Sequence, residues 1–246
     1  MTVGKNIKVF KIGGSALDSQ EAAESFFNGL RCKVVPGETV FIHGGGGEIS
    51  RWMKRFGCEA GFVDGQRVTD EEAICVVEMV LSGLVNKRIV SILLNMDFKA
   101  VGLSGRDGMV LARKLDEKLG FVGEVSKVRS DLIRRFLDEE IIPVISPVSH
   151  DISGKALNVN ADFFAAAVAV AVDASEFNIA TATGGVLKDG DMLDKIEVSE
   201  IPLLIEEGVV TDGMIPKLQA ALAARKGNVG VVRMIDYKGK GGTEIL

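Results

Sequence analysis

Short apolar runs alternate with amphipathic stretches along most of the 246 residues. Residues 7–12, 39–42, 100–103, 109–113, 141–145, 177–181 and 229–235 read as strands, being short and bounded by turn residues. Between them lie helical patterns. Asp18 and Glu21 mark a helix start, followed by Ala22, Phe26 and Leu30 as a buried stripe. Residues 48–56 form a second helix, and Thr69 with Glu72 predicts a capping box opening a long helix over 71–94. Further helices are expected over 131–138, 163–172, 199–206 and from Lys217 to about Lys226. The 163–172 helix is apolar on every face and so should be fully buried. Residues 120–125 read as part of a hairpin and 147–154 as a loop. This alternation predicts an α/β fold with three layers, α/β/α, around a mainly parallel open sheet. The best internal boundary falls near 173–176, giving lobes of 1–174 and 175–246.

Composition narrows the partners. With 47% hydrophobic residues the chain can bury a large core. Net charge is -5 and basic residues are scattered, Lys238 and Lys240 being the densest pair, so nucleic acid is not an expected partner. The longest apolar run is too short for a bilayer, and the first residues carry no signal-like apolar region. A cytoplasmic protein is expected. Cys32, Cys58 and Cys75 have no C-x-x-C spacing, which points to a reducing compartment and to small buried side chains rather than disulfides or a zinc site. His150 reads as structural or exposed.

The candidate chemistry is cationic and glycine-rich. Lys11 ends the first strand beside Gly13-Gly14, where backbone can approach a ligand. Alone, this is equally well a solvated lysine. His43 precedes four consecutive glycines that open a helix. So many glycines cost backbone entropy, and they make sense where N–H groups wrap an anion at a helix N-terminus. No Walker A or Rossmann glycine pattern is present. Arg67, on a turn, suits a bidentate carboxylate, or pairs as a surface residue with Asp64 or Asp70. Asn158, Asn160 and Asp162 crowd the mouth of the 163–172 helix. Lys217 opposes the macrodipole of the last helix and therefore faces solvent or an anion. With no Ser/His/Asp set and no metal-ligand cluster, this inventory fits phosphoryl transfer, which is largely positioning and charge neutralisation.

In order along nearly the whole chain, KIGGS (11–15), HGGGGEI (43–49), GQRVTD (65–70), Asn86-Lys87, GLSGRDG (102–108), GFVGEV (120–125), IPVISPV (142–148), NVNAD (158–162) and TDGMIPK (211–217) give a sequence that resembles the amino-acid kinase family. It is most similar to the branch that phosphorylates N-acylated glutamate in arginine biosynthesis. The resemblance implies the carbamate kinase-like sheet, with acylglutamate binding and dimerisation in the first lobe and ATP in the second. It implies Lys11 and Lys217 as flanking cations oriented by Asp162. Gly13, Gly14 and Gly44 would meet phosphate; Gly45, Gly46, Arg67, Asn158 and Asn160 would hold the acid. ATP would lie near Thr181, Gly184, Gly185, Val209, Val210 and Thr211, carrying Mg²⁺ on its phosphates. The hairpin at 120–125 would close over the substrate, and the enzyme would be a homodimer without arginine feedback. Two departures stand out. Ala182 replaces the family's aspartate, and the segment before the final Gly-Thr-x-Ile is short, implying a smaller nucleotide lobe. The pattern is similar to a subgroup in which some members act on N-succinylglutamate. A ligand-sensing homologue of weak activity, or a kinase for another small amino acid, are the rival expectations.

Overall fold

The computed structural model describes residues 6–58, 61–63, 66–238 and 241–246; Asp64, Gly65 and Lys240 lie outside the described residues. Strand parity sorts the core. In β1 (Lys8–Ile12), Val9 packs on one face of the sheet and Phe10 and Ile12 on the other; β2 (Thr39–His43) sends Val40 and Ile42 to the first face and Phe41 to the second. The second face is covered by α1 (Gln20–Leu30), α2 (Gly46–Phe56) and one helical stretch made of α3 (Glu71–Glu78), a π-helical segment at Met79–Val85 and α4 (Asn86–Asn95). A small hairpin, β3 (Phe62–Val63) and β4 (Gln66–Arg67), precedes α3.

The chain continues through β5 (Ala100–Ser104), β6 (Val110–Lys114), β7 (Val122–Val128), α5 (Ser130–Asp138), β8 (Ile142–Ser146), β9 (Val148–His150) and β10 (Ala156–Val159). Then come α6 (Ala161–Ala171), β11 (Glu176–Ala180), β12 (Leu187–Lys188), β13 (Asp191–Met192), β14 (Lys195–Ile196), α7 (Ile201–Glu206), α8 (Ile215–Lys226), β15 (Val231–Ile235) and β16 (Glu244–Ile245). One eight-stranded sheet runs β14-β16-β15-β11-β1-β2-β8-β5, and only β15 against β16 is antiparallel. Strands β10, β7, β6 and β9 close a small barrel beside it. Helices α5, α6, α7 and α8 cover the first face, with Phe164 and Val168 of α6 and Leu218 and Ala221 of α8 packed on Val9, Val40 and Phe177. The three-layer α/β/α architecture is the expected one.

Local details differ from expectation. The α1 stripe is Ala23, Phe26, Phe27 and Leu30, because a helix lying flat on a sheet buries i, i+3, i+4 and i+7; Ala22 is only half-buried. Ser19 caps α1, and Asp70, accepting from the Ala73 N–H, caps α3. Thr69 instead donates to the Arg67 carbonyl. Much of the expected 147–154 loop is strand β9, paired with β10 in the barrel. Helix α6 has an outer edge, with Phe163 36% exposed, since it covers the sheet from one side only. The cysteines are free but not buried: Cys32 and Cys75 are exposed and Cys58 half-buried, on outward positions of their segments.

One buried knot ties four elements together. Asn86 Nδ2 donates its two N–H groups to the Val144 carbonyl (2.9 Å) and the Leu103 carbonyl (3.1 Å), and lies 3.1 Å from His43 Nε2. An Asn86→Leu variant strips donors from buried acceptors at a cost of about 2–3 kcal/mol. The expected result is a Tm lower by roughly 5–10 °C in thermal denaturation.

Candidate active site

The carboxyl ends of β1, β2 and β11 meet at one rim of the sheet, the usual place for ligands in parallel α/β folds. Parity puts the Lys11 side chain on the Val9 face, under α6 and α8. There its Nζ lies 2.7 Å from Asp162 Oδ1, at ion-pair distance. Lys217, in the first turn of α8, donates to Asp162 Oδ2 (3.3 Å) and to the Gly213 carbonyl (3.1 Å). Lys11 is 4% exposed and Asp162 5%. Asp162 is not the cap of α6. Asn160 fills that role, its Oδ1 accepting from the Asp162 N–H at 2.8 Å, which leaves the Asp162 carboxylate for the lysines.

Burial is the largest influence on Lys11 and lowers its pKa; Asp162 works against that and Lys217 adds to it. Burial is also the largest influence on Asp162 and would raise its pKa, but the two lysines outweigh it and hold the carboxyl below its ordinary value. Asp162 is therefore an ionised anchor for two cations, not a proton donor.

A cleft of about 250 Å³ opens beside this cluster. Its polar wall includes Lys11, Gly13, Gly14, Gly44, Gly45, Gly46, Arg67, Asn158, Asn160 and Asp162, and Ile49, Leu81, Val122, Pro147 and Val159 supply apolar surface. The N-terminus of α2 faces it without a side-chain cap. Gly45, at φ 158°, packs so closely on the π-helical segment that a Cβ would lie 2.8 Å from Leu81 Cδ2. The Gly44 N–H, in contrast, is spent on the Ile12 carbonyl (2.8 Å), so Gly44 lines the cleft but cannot donate that proton to phosphate. Arg67 is half-buried, which lowers its pKa, and its Nη2 donates to Ser50 Oγ (2.8 Å). Asn158 Nδ2 donates to Thr69 Oγ1 (3.2 Å).

A second cleft of about 260 Å³ shares Gly13 and Gly14 with the first and is bounded by Ala180–Thr183, Gly213, Met214, Lys217 and Tyr237. Thr181 lies here, its buried Oγ1 without a hydrogen-bond partner. The other expected nucleotide residues do not line it. Gly184 and Gly185 pack on Asp236 and Thr243 as a structural turn, pinned by the bond from the Val186 N–H to Thr243 Oγ1 (2.8 Å). Val210 is in the core and Val209 packs against it, because this segment leads α7 back under the sheet; Thr211 is exposed before Asp212–Met214. Sequence reasoning missed Tyr237, Met214 and Ser50. Tyr237 and Ser50 stand outside or at the edge of a recognisable pattern, and Met214 lies inside TDGMIPK as an apolar residue with no evident chemistry; the only hint for Tyr237 was that the chain has one tyrosine.

His43 is no base. Burial chiefly pushes its pKa to about 4, with the Gly44 carbonyl opposing and Lys87 assisting. Among the described residues no three His, Cys, Asp or Glu side chains gather to hold a metal ion, and no helix is long and apolar enough to cross a membrane.

The sequence profile of the amino acid kinase family matches residues 6–236. Acetylglutamate kinase of Geobacillus kaustophilus is 44% identical over 239 residues, 96% of this chain and 92% of that one. Acetylglutamate kinase of Archaeoglobus fulgidus is 40% identical over 245 residues, 93% of this chain and 84% of that one. Among solved structures, smu.665 from Streptococcus mutans UA159 matches with TM-score 0.87 and 31% identity over 98% of both chains. Carbamate kinase from Giardia lamblia shares the fold, with TM-score 0.71 and 15% identity over 100% of this chain and 99% of that one. With its sheet order, its rim of glycines and lysines and these full-length likenesses, the chain belongs to the amino acid kinase family.

Proposed function

We propose that the protein transfers the γ-phosphoryl group of ATP to the side-chain carboxylate of N-acetylglutamate, an early step of arginine biosynthesis. The observation that carries this reading is the convergence of Lys11 and Lys217 on one buried carboxylate, at the junction of two clefts. A carboxylate oxygen attacks the γ-phosphorus, the bond to the β,γ-bridging oxygen breaks, and its electrons leave with ADP. No general base is needed, because a γ-carboxylate of pKa about 4.3 is already ionised at neutral pH. The obstacle is repulsion between two anions, and the arrangement answers it with fixed positive charge. Lys11 meets the phosphoryl group from the acid side, Lys217 meets the leaving phosphate, and Asp162 holds both. N–H groups of Gly13, Gly14, Gly45 and Gly46 face the transferring oxygens.

Nucleotide phosphates suit the second cleft, which offers Lys217, three glycines and an unpartnered hydroxyl. Mg²⁺ would be carried by phosphate oxygens and add charge neutralisation. The division of labour between residues 1–174 and 175–246 is supported by the acid cleft, lined wholly by the first part. Homodimerisation is supported by Met79, Leu84 and Leu94, exposed along the α3–α4 stretch. Free cysteines suit a cytoplasmic enzyme.

The test is hydroxylamine trapping of the acyl phosphate with N-acetyl-, N-succinylglutamate and unacylated amino acids. Turnover of N-acetylglutamate is expected; no turnover of either acylglutamate would overturn the reading. Arg67 is assigned to the substrate's α-carboxylate. An Arg67→Ala variant loses a charge-assisted bond of about 1.5–3 kcal/mol. Steady-state kinetics should show KM for the acid raised by roughly 10–100-fold with kcat changed little.

A further inference from the structure

Tyr237 lies just beyond β15, and its ring packs edge-on against Phe26 (centroids 6.1 Å apart, 77° between planes). That contact fixes the phenol over the turn that follows β1. Its Oη would lie 2.9 Å from a Cβ placed on Gly14, a residue that itself sits at φ 61°, so this turn and this hydroxyl are built against each other. The hydroxyl donates to the Gly13 carbonyl at 3.4 Å and accepts from Ser15 Oγ at 3.5 Å. Both are well beyond the ~2.7 Å of a good O–H···O bond, so little is lost when the proton turns elsewhere. The side chain is half-buried and lines the second cleft. Lys217 lines the same cleft, as does Thr181, whose buried Oγ1 has no partner. None of the residues lining that cleft is acidic. A cleft with one cation, two weakly engaged hydroxyls and no carboxylate is matched to a polyanion.

We propose that Tyr237 is a nucleotide-binding residue, its hydroxyl donating to an oxygen of the nucleotide's phosphate chain beside Gly13-Gly14. This rests on the assignment of the second cleft to ATP. It adds a contact that no glycine or lysine pattern announces, and it makes the segment after β15 part of the site.

Because the chain has a single tyrosine, [¹³Cζ]tyrosine labelling of the whole protein yields one NMR signal. Titration with a non-hydrolysable ATP analogue should shift that signal, saturating with the calorimetric Kd, while adenosine and N-acetylglutamate leave it nearly in place. Tyr237→Phe, which keeps the ring packing, should raise KM for ATP by roughly 5–20-fold and leave KM for the acid within twofold. ATP binding by calorimetry without movement of the signal, an equal shift with adenosine, or an unchanged KM for ATP in Tyr237→Phe overturns the inference and leaves the kinase reading standing. Absence of calorimetric ATP binding overturns both.

Discussion

Asp162→Asn lowers kcat by about 10²–10³-fold, the range seen when one preorganised electrostatic group is removed from a reacting centre. The amide keeps the volume and loses the charge that gathers Lys11 and Lys217. Two effects follow. The lysines, no longer bridged, repel each other across the reacting centre. Lys11 also loses the one influence that raises its pKa, while burial and Lys217 continue to lower it. Lys11 is charged below its pKa, so a further fall in that pKa means that charge is lost at lower pH than in the parent. The variant's residual kcat should therefore decline as pH is raised and recover partly as pH is lowered. A pH–rate profile and circular dichroism check this. A residual kcat as insensitive to pH as the parent's, in a folded variant, would show that Asp162 acts otherwise than by holding Lys11 charged.

Lys217→Ala lowers kcat by about 10²-fold while KM for the acid stays within about threefold. Lys217 touches the second cleft and not the first, so under the proposed function its charge would serve the leaving phosphate rather than acid binding. Stability should respond differently. A cation in the first turn of α8 opposes the helix dipole by about 0.3–1 kcal/mol, and the variant removes that penalty together with a partner of Asp162. Lys11 remains 2.7 Å from Asp162, so the carboxylate keeps a counter-charge. Tm is expected to move by no more than about 4 °C. A large rise in KM for the acid with kcat preserved would assign the two lysines the other way round.

These expectations depend on residues of differing legibility. Lys11 could be seen as a cation at a strand end, and Lys217 as a cation at the unfavourable end of a helix, but each admitted a bland solvated reading. The family resemblance implied that both flank one phosphoryl group, and position in space supplied the physical ground, both lying against the Asp162 carboxylate. The wall of the second cleft shows the opposite case. The segments around 181–185 and 209–214 were recognisable, yet which residues face the cleft was not: Val210 points into the core, Gly185 packs on Thr243, and Met214 and Tyr237 form the wall. Motif order carries the path of the chain but not the rotation of each short segment. Caps behaved likewise. Asn160, Asp162, Asp70 and Thr69 all suit an N-cap chemically, and preferences within that group differ too little to choose between neighbours. Packing chose Asn160 and Asp70.

By itself, the sequence determined the alternation of strands and helices and hence the layered parallel sheet, because periodicity and turn residues act locally. It also determined that Lys11 shares a sheet face with Val9, since side chains two apart on a strand point the same way. Only the tertiary structure decided that Lys11, Asp162 and Lys217 share one point. That required α6 and α8 to settle side by side on the sheet face where Lys11 stands, and their register is set by packing among distant segments rather than by any local pattern.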